Sequence, residues 1–311
     1  MASTSDDLRR LDDPATGRAA RPSARHRLAE SGIDRTLLLL APALLAVLLL
    51  FMYPFAYGFG LSFFPRSGGL LANYVEFFGD PYERDTILKT LALALPATVF
   101  NTLVAVPIAY RMRGRFRGKR TLTTLLTVPV TLGTVLVAQG LLAYLGPRGW
   151  VNRTLLGLGL VDAPVQLVQN YWGVFFAIVI SDFPFAFLLT LAFVSGIDPT
   201  LERAAATLGA GPWQRFRRVT LPLLAPGLGI TFCLTFVLAF SVFPSAILVG
   251  DPAGSTRVIS VAAYRAAFEE YDYSMGSAIA MIMAAVELTV IVIVLAWRSR
   301  LYRGASSGGK G

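Results

Sequence analysis

The stretch Tyr171–Val194, YWGVFFAIVISDFPFAFLLTLAFV, decides the fold. It carries one charge, Asp182, in a run otherwise built of apolar, aromatic and small residues. As a helix rising about 1.5 Å per residue it is long enough to cross about 30 Å of hydrocarbon. A strand of an outer-membrane barrel alternates apolar and polar side chains over about 10 residues, and this run does not alternate. Five more runs of the same character flank it: Leu37–Tyr57, Ile87–Tyr110, Leu122–Tyr144, Leu223–Leu248 and Met275–Trp297. The sequence therefore predicts an all-α membrane protein with six transmembrane helices. Its composition agrees, with 55% of 311 residues apolar and 15% charged, where a soluble domain carries about 25% charge. A single cysteine, Cys233, excludes a disulfide scaffold.

The positions of the basic residues orient the six runs. Of 28 Lys and Arg, 21 lie before the first run, between the second and third, between the fourth and fifth, or after the sixth, while the three remaining loops hold 6. Cytoplasmic loops carry the excess of Lys and Arg, so both termini are expected in the cytoplasm. This distribution also accounts for the net charge of +9 without nucleic acid as a partner. Residues 1–35, polar and rich in Asp, Arg, Ala and Pro, read as a disordered cytoplasmic tail, residues 36–298 as the six-helix domain, and residues 299–311 as a second flexible tail. Pro96, Pro107, Pro129, Pro184, Pro226 and Pro244 fall within or at the ends of the runs. Each removes a backbone donor and suits kinked helices around a pathway.

The chain carries little that could do chemistry. The string nearest to a nucleotide cradle, GRFRGK at Gly114–Lys119, has one residue too few between its glycines and no Ser or Thr after the Lys. The only histidine, His26, lies in the N-terminal tail, which removes histidine-based acid–base catalysis and most transition-metal sites. No catalytic residue, metal site or cofactor is therefore expected. Asn152-Arg153-Thr154 fits the three-residue glycosylation pattern, a match too short to carry weight.

The informative loop is LERAAATLGAGPWQRFRRVTLPLL, Leu201–Leu224, between the fourth and fifth runs. Asp198 or Thr200 can cap a helix through Leu201–Leu208, Gly209 and Gly211 can end it, and Pro212 can open a second. Leu201, Ala204, Ala205 and Leu208 share one face of the first helix. Such a helix either presents a gripping surface to a partner or rests on lipid headgroups.

The loop resembles the cytoplasmic signature of inner-membrane permease subunits of bacterial and archaeal binding-protein-dependent ABC importers, EAAxxxGxxxxxxxxx[IV]xLP, through Ala204, Ala205, Gly209, Val219, Leu221 and Pro222. The usual Glu position is Arg203, and the acid stands one residue earlier at Glu202. The resemblance extends to the six-helix layout. It implies that residues 199–222 form a cytoplasmic coupling helix between spans four and five, seated on a dimer of separate cytoplasmic ABC ATPases. It further implies a second permease, expected as a heterodimer partner, an extracytoplasmic solute-binding protein, and a location in the bacterial or archaeal plasma membrane. The LGA at Leu208–Ala210 is similar to polyamine, sulfate and thiamine type members, whereas Gly250–Ala278 is similar to sugar-type members.

Two carboxylates lie at mid-membrane, Asp182 in span four and Glu287 in span six. An ionised acid at that depth costs about 2.5–3.5 kcal/mol. They read as a cation-attracting pathway for solute or as a proton relay; the alternative is a protonated acid bonded to a neighbouring helix. Asn101 and Gln139 are weaker candidates for polar lining. The function expected is a non-catalytic permease subunit for a small polar solute, a polyamine-like cation ahead of a sugar or polyol. The competing class is a self-sufficient proton-coupled carrier or channel.

Overall fold

The computed structural model of the chain describes residues 35–114 and 118–306. The tail before Arg35 with His26, the basic residues Arg115 and Arg117, and residues 307–311 lie outside the described residues. The chain divides after Tyr57 into two compact units. In the first, α1 (Arg35–Val47) passes through a wide turn (Leu48–Met52) into the start of α2 (Tyr53–Leu61), whose last turn belongs to the second unit. Side chains from Leu48 to Phe55 along this stretch are exposed, as suits an apolar helix whose solvent is lipid.

The second unit is built of helices joined by loops, with no strand among its described residues. The short α3 (Ala72–Gly79) leads into α4 (Pro81–Met112), which starts six residues before the first apolar residue of its run because Asp80 caps it, accepting from the amide of Tyr82 at 2.9 Å, with Pro81 in the first turn. Next come α5 (Lys119–Leu145), α6 (Trp150–Gly157) and α7 (Tyr171–Ser195). Gly133 breaks α5 with φ 74° and ψ 163°, four residues after Pro129, so span three is kinked. Asn152 is fully buried in α6, donating to the carbonyls of Gly146 and Val165 and accepting from the amide of Val165. It braces its loop and offers no accessible amide to a glycan.

The loop after span four forms α8 (Pro199–Thr207) and α9 (Pro212–Arg215), and α9 runs through a wide turn, Phe216–Thr220, into α10 (Leu221–Phe240). Pro222 has no amide hydrogen for the preceding turn, and there Leu221 reaches back to the carbonyl of Phe216 instead. Span five ends at Phe240, earlier than its apolar run: Pro244 opens a separate short helix, α11 (Pro244–Leu248). Then α12 (Ile259–Tyr264) and its wide turn Arg265–Glu269 lead to α13 (Tyr273–Ser306), which continues past residue 298. Among the described residues, six helices are long and apolar enough to cross a membrane.

The core of this unit lies among α4, α7 and α10. One apolar cluster holds Leu93, Ala97, Ile178, Phe236 and Phe240, and a second, nearer the α8–α9 loop, holds Ala105, Ala109, Phe187 and Leu224. Small residues on α4 allow the close approach of helices where apolar lipid gives no hydrophobic drive. The far-end loop is fastened down: buried Arg257 pairs with Glu83 and lies 3.7 Å over the ring of Tyr82, and Lys89 donates to the carbonyl of Gly254 at 3.0 Å. In α12 and its wide turn, Ile259, Val261, Ala262 and Ala266 pack into the core while Phe268 stays 60% exposed.

Candidate functional site

The α8–α9 loop is built residue by residue from its sequence. Asp198 caps α8, accepting from the amide of Thr200 at 2.8 Å. Hydrogen bonding from the Thr200 side chain, and then from its amide, holds the Asp198 carboxyl below the usual aspartate range. At the other end Gly209 takes φ 83°; the amide of Ala210 bonds back to Ala205 and that of Gly209 to Ala206. This is the left-handed helix stop that glycine makes at little cost and that β-branched residues make poorly. Pro212 then starts the second helix.

Within this frame Glu202 turns inward and Arg203 outward. Glu202 is buried, and its carboxylate accepts from three side chains: Arg113 at the end of span two, Thr220 at the base of span five, and the Tyr110 hydroxyl at 3.4 Å. Arg113 also lies 4.4 Å over the ring of Tyr110, and that ring meets Phe216 edge-on at 4.8 Å. Burial pushes the Glu202 carboxyl up, but the hydrogen bonds from Arg113, Thr220 and Tyr110 and the Arg113 charge outweigh it and hold the group below the ordinary glutamate range. The acid therefore stays ionised and fastens α8 to two spans at once.

Arg113, Tyr110 and Thr220 were not singled out from the sequence; Arg113 counted there only as a topology charge. The outward side of the loop exposes Leu208 at 88% and Trp213 at 68%, with Arg203, Arg217 and Arg218 exposed beside them. Ala204 is exposed and Ala205 half-buried, while Val219 and Leu221 are half-buried along the turn into span five and Pro222 is exposed.

The four mid-membrane candidates do not come together in one place. Asp182 is buried in α7, with one carboxylate oxygen lacking a hydrogen-bond partner among the described residues. Asn101 is fully buried in α4 with both amide atoms in the same condition, as are the hydroxyls of Thr98, Thr102, Thr231 and Thr235 on α4 and α10. Along these helices the unpaired polar groups fall between the two apolar clusters. Glu287 is half-buried on α13 and accepts from the hydroxyl of Ser241 at 2.9 Å, just beyond the end of α10. Gln139 is exposed on α5.

Residues 101–305 match the family described as the binding-protein-dependent transport system inner membrane component. The chain belongs to this family. The sulfate transport system permease protein CysT of Escherichia coli is 28% identical over 75% of this chain and 82% of its own length. The spermidine/putrescine transport system permease protein PotB of Haemophilus influenzae is 30% identical over 65% of this chain and 71% of its own length. Among solved structures, a bacterial ABC transporter involved in the import of the acidic polysaccharide alginate superposes with a TM-score of 0.73 at 24% identity, over 88% of this chain and 99% of that one. This family member is thus an inner-membrane component of a binding-protein-dependent transport system, with the fold of an ABC transporter permease.

Proposed function

We propose that the chain is the non-catalytic permease subunit of an ABC importer, and that α8 and α9 form the cytoplasmic lever on which a separate ATPase acts. The observation that carries this reading is the attachment of Glu202 to Arg113 and Thr220. A loop that only rested on lipid headgroups would not need an ion pair to the end of one span and a hydrogen bond to the base of another. Because α9 continues into span five as one helix from Pro212 to Phe240, a push on α8 and α9 moves that span as a rod. Glu202, Arg203, Ala204, Ala205, Gly209, Val219, Leu221 and Pro222 make up the coupling segment. Its partners are an ATPase dimer, a second permease in a heterodimer, and an external solute-binding protein.

The solute is a small polar molecule, with a polyamine-like cation preferred over a sugar or polyol. Asp182 and Glu287 place two carboxyl groups at mid-membrane, and neither is held in an ion pair among the described residues. The named relatives include both a sulfate and a polyamine permease, so the acids and not the likeness support this preference.

Uptake into vesicles holding this chain with an ATPase, a second permease and a binding protein tests the reading. Uptake should require ATP and should vanish when the ATPase is left out. ATP-independent uptake by the chain alone would establish the proton-coupled carrier instead. Cysteine labelling on a Cys233-free background tests the orientation: a cysteine at Gly211 should react only from the cytoplasmic side.

A further inference from the structure

A cavity of about 330 Å3 opens between α4, α10 and α13, near the end of the bundle from which α8 and α9 hang. Thr102, Pro226, Gly229, Phe232, Trp297 and Arg298 line it with a few aliphatic side chains, and no acid does. An apolar cavity of this kind does not hold water, so in a membrane its natural filling is hydrocarbon. Two features at its rim specify more than hydrocarbon. Trp297 is 66% exposed, in the position that tryptophan takes at the headgroup level. Beside it Arg298 lays its aliphatic stem over Gly229, where a Cβ would come within 3.4 Å of Arg298 Cδ, and its guanidinium has no ion-pair partner among the described residues. Inside, the hydroxyl of Thr102, itself 8% exposed, has no hydrogen-bond partner among the described residues.

We propose that this cavity is a binding site for an anionic phospholipid, with an acyl chain in the cavity and the headgroup phosphate on Arg298. The charge is what selects the occupant. A half-buried arginine with no acid in the wall is matched by a phosphate carrying net negative charge, and basic pockets between membrane helices on the cytoplasmic side take such headgroups. Thr102 offers a donor to an ester oxygen. A helix of a second permease in the same place would cover Arg298 without using its charge unless it brought an acid. The site touches span five around Pro226, close to where the rod from α9 enters the bundle, so its occupant joins spans two, five and six at the base of the lever.

The test uses the full chain in lipid nanodiscs with photoactivatable phosphatidylglycerol or phosphatidylcholine, each carrying the reactive group on an acyl chain. The phosphatidylglycerol probe should label Ala225–Phe232 and residues 294–298 several-fold more than the phosphatidylcholine probe. Arg298→Gln should lower that labelling about fivefold, the share of one basic residue at the headgroup level, and leave phosphatidylcholine labelling unchanged. Ala225→Phe, which fills the cavity, should remove both, and Arg148→Gln, at the opposite end of span three, should change neither. Equal labelling by the two probes, or labelling indifferent to Arg298→Gln, overturns the proposal. So does loss of labelling in the assembled transporter with a disulfide formed between Trp297→Cys and a cysteine in the second permease, since a protein helix would then fill the cavity. The Arg298→Gln arm stays informative even if Ala225→Phe fails to fold.

Discussion

Replacing Arg113 with Ala should detach α8 from the bundle without unfolding the spans. The side chains of Arg113 and Glu202 are 17% and 10% exposed, so the pair is largely shielded from water. Removing one partner of a buried pair costs about 3–5 kcal/mol because the other charge is left uncompensated. Here Thr220 and Tyr110 still donate to Glu202, which places the cost near the lower end, about 3 kcal/mol. At about 1.4 kcal/mol per decade, that raises the open population of the loop roughly a hundredfold. Amide hydrogen exchange across residues 199–211 should accelerate by that factor while the protected core of α4 and α7 is unchanged. Thr220→Val should give a smaller change, since it removes one hydrogen bond to a carboxylate, worth about 1.5–3 kcal/mol.

The double replacement Arg113→Met with Glu202→Leu separates fastening from charge. An apolar pair of similar volume removes both desolvation costs, so loop protection should return close to the starting value. ATPase co-purification and ATP-driven uptake should return with it. If Arg113→Ala leaves exchange and uptake unaltered, the fastening role is refuted. If the double variant regains protection but not uptake, the charges serve the ATPase contact instead. The pH dependence has a definite sign. Because the folded Glu202 carboxyl sits below its ordinary 4.5, its contribution is complete above 4.5 and is lost as the pH falls through the lower folded value. Loop protection should therefore be flat from neutral pH down to about 5 and fall only in stronger acid.

The remaining predictions concern three other places. Gly209→Val forces a β-branched residue to φ 83° and should cost at least about 1–2 kcal/mol in the helix stop, uncoupling the ATPase while the chain still inserts; Gly209→Asn, which tolerates that φ, should be milder in the same ATPase co-purification assay. Asp182→Asn and Glu287→Gln should each lower uptake of a polyamine by about fivefold or more, equivalent to about 1 kcal/mol, and leave a sugar indifferent; undiminished uptake of the cation in the double variant would remove the acids from the pathway. Arg257→Ala should leave Glu83 unpaired and expose residues 251–258 to faster hydrogen exchange, with Arg257→Lys recovering part of the protection because it keeps the charge but loses the stacking on Tyr82. Unchanged exchange in Arg257→Ala would show that Lys89 and Tyr82 hold that loop without it.

The spans were legible because each is a long run whose apolar character is set by the bilayer and not by neighbours. Their ends were less so. Span two begins early because Asp80 and Pro81 make a helix start out of polar residues, and span five stops early because the proline at 244 interrupts a run that composition alone continues to Leu248. The loop helices were readable from Asp198, Gly209 and Pro212, since caps and stops are local events whose residues act within a turn or two. What the sequence left open between Asp198 and Thr200 as the cap is settled by the bond from the amide of Thr200 to Asp198.

The knot around Glu202 was not legible, for a physical reason. Its members are separated by 89 positions between Arg113 and Glu202 and by 18 between Glu202 and Thr220, so only tertiary packing brings them together. Arg113 also satisfied another rule: as one of a cluster of basic residues beside a span it was fully accounted for by topology. One charge can do both tasks, because a basic residue just past a helix end lies at the membrane surface, where a loop helix on the same side must also lie. The acid at 202 then has a cation within reach at whatever register the loop adopts around it, provided it faces the bundle. A helix turns about 100° per residue, so moving the acid from the signature position 203 to 202 is enough to change its direction from outward to inward. In this chain that single step gives the acid to the bundle and leaves Arg203, a cation, on the outward side beside Leu208 and Trp213. An ATPase surface matched to this loop should therefore present an acid opposite Arg203, and an acidic replacement there, Arg203→Glu, should weaken co-purification while leaving the exchange of α8 unchanged.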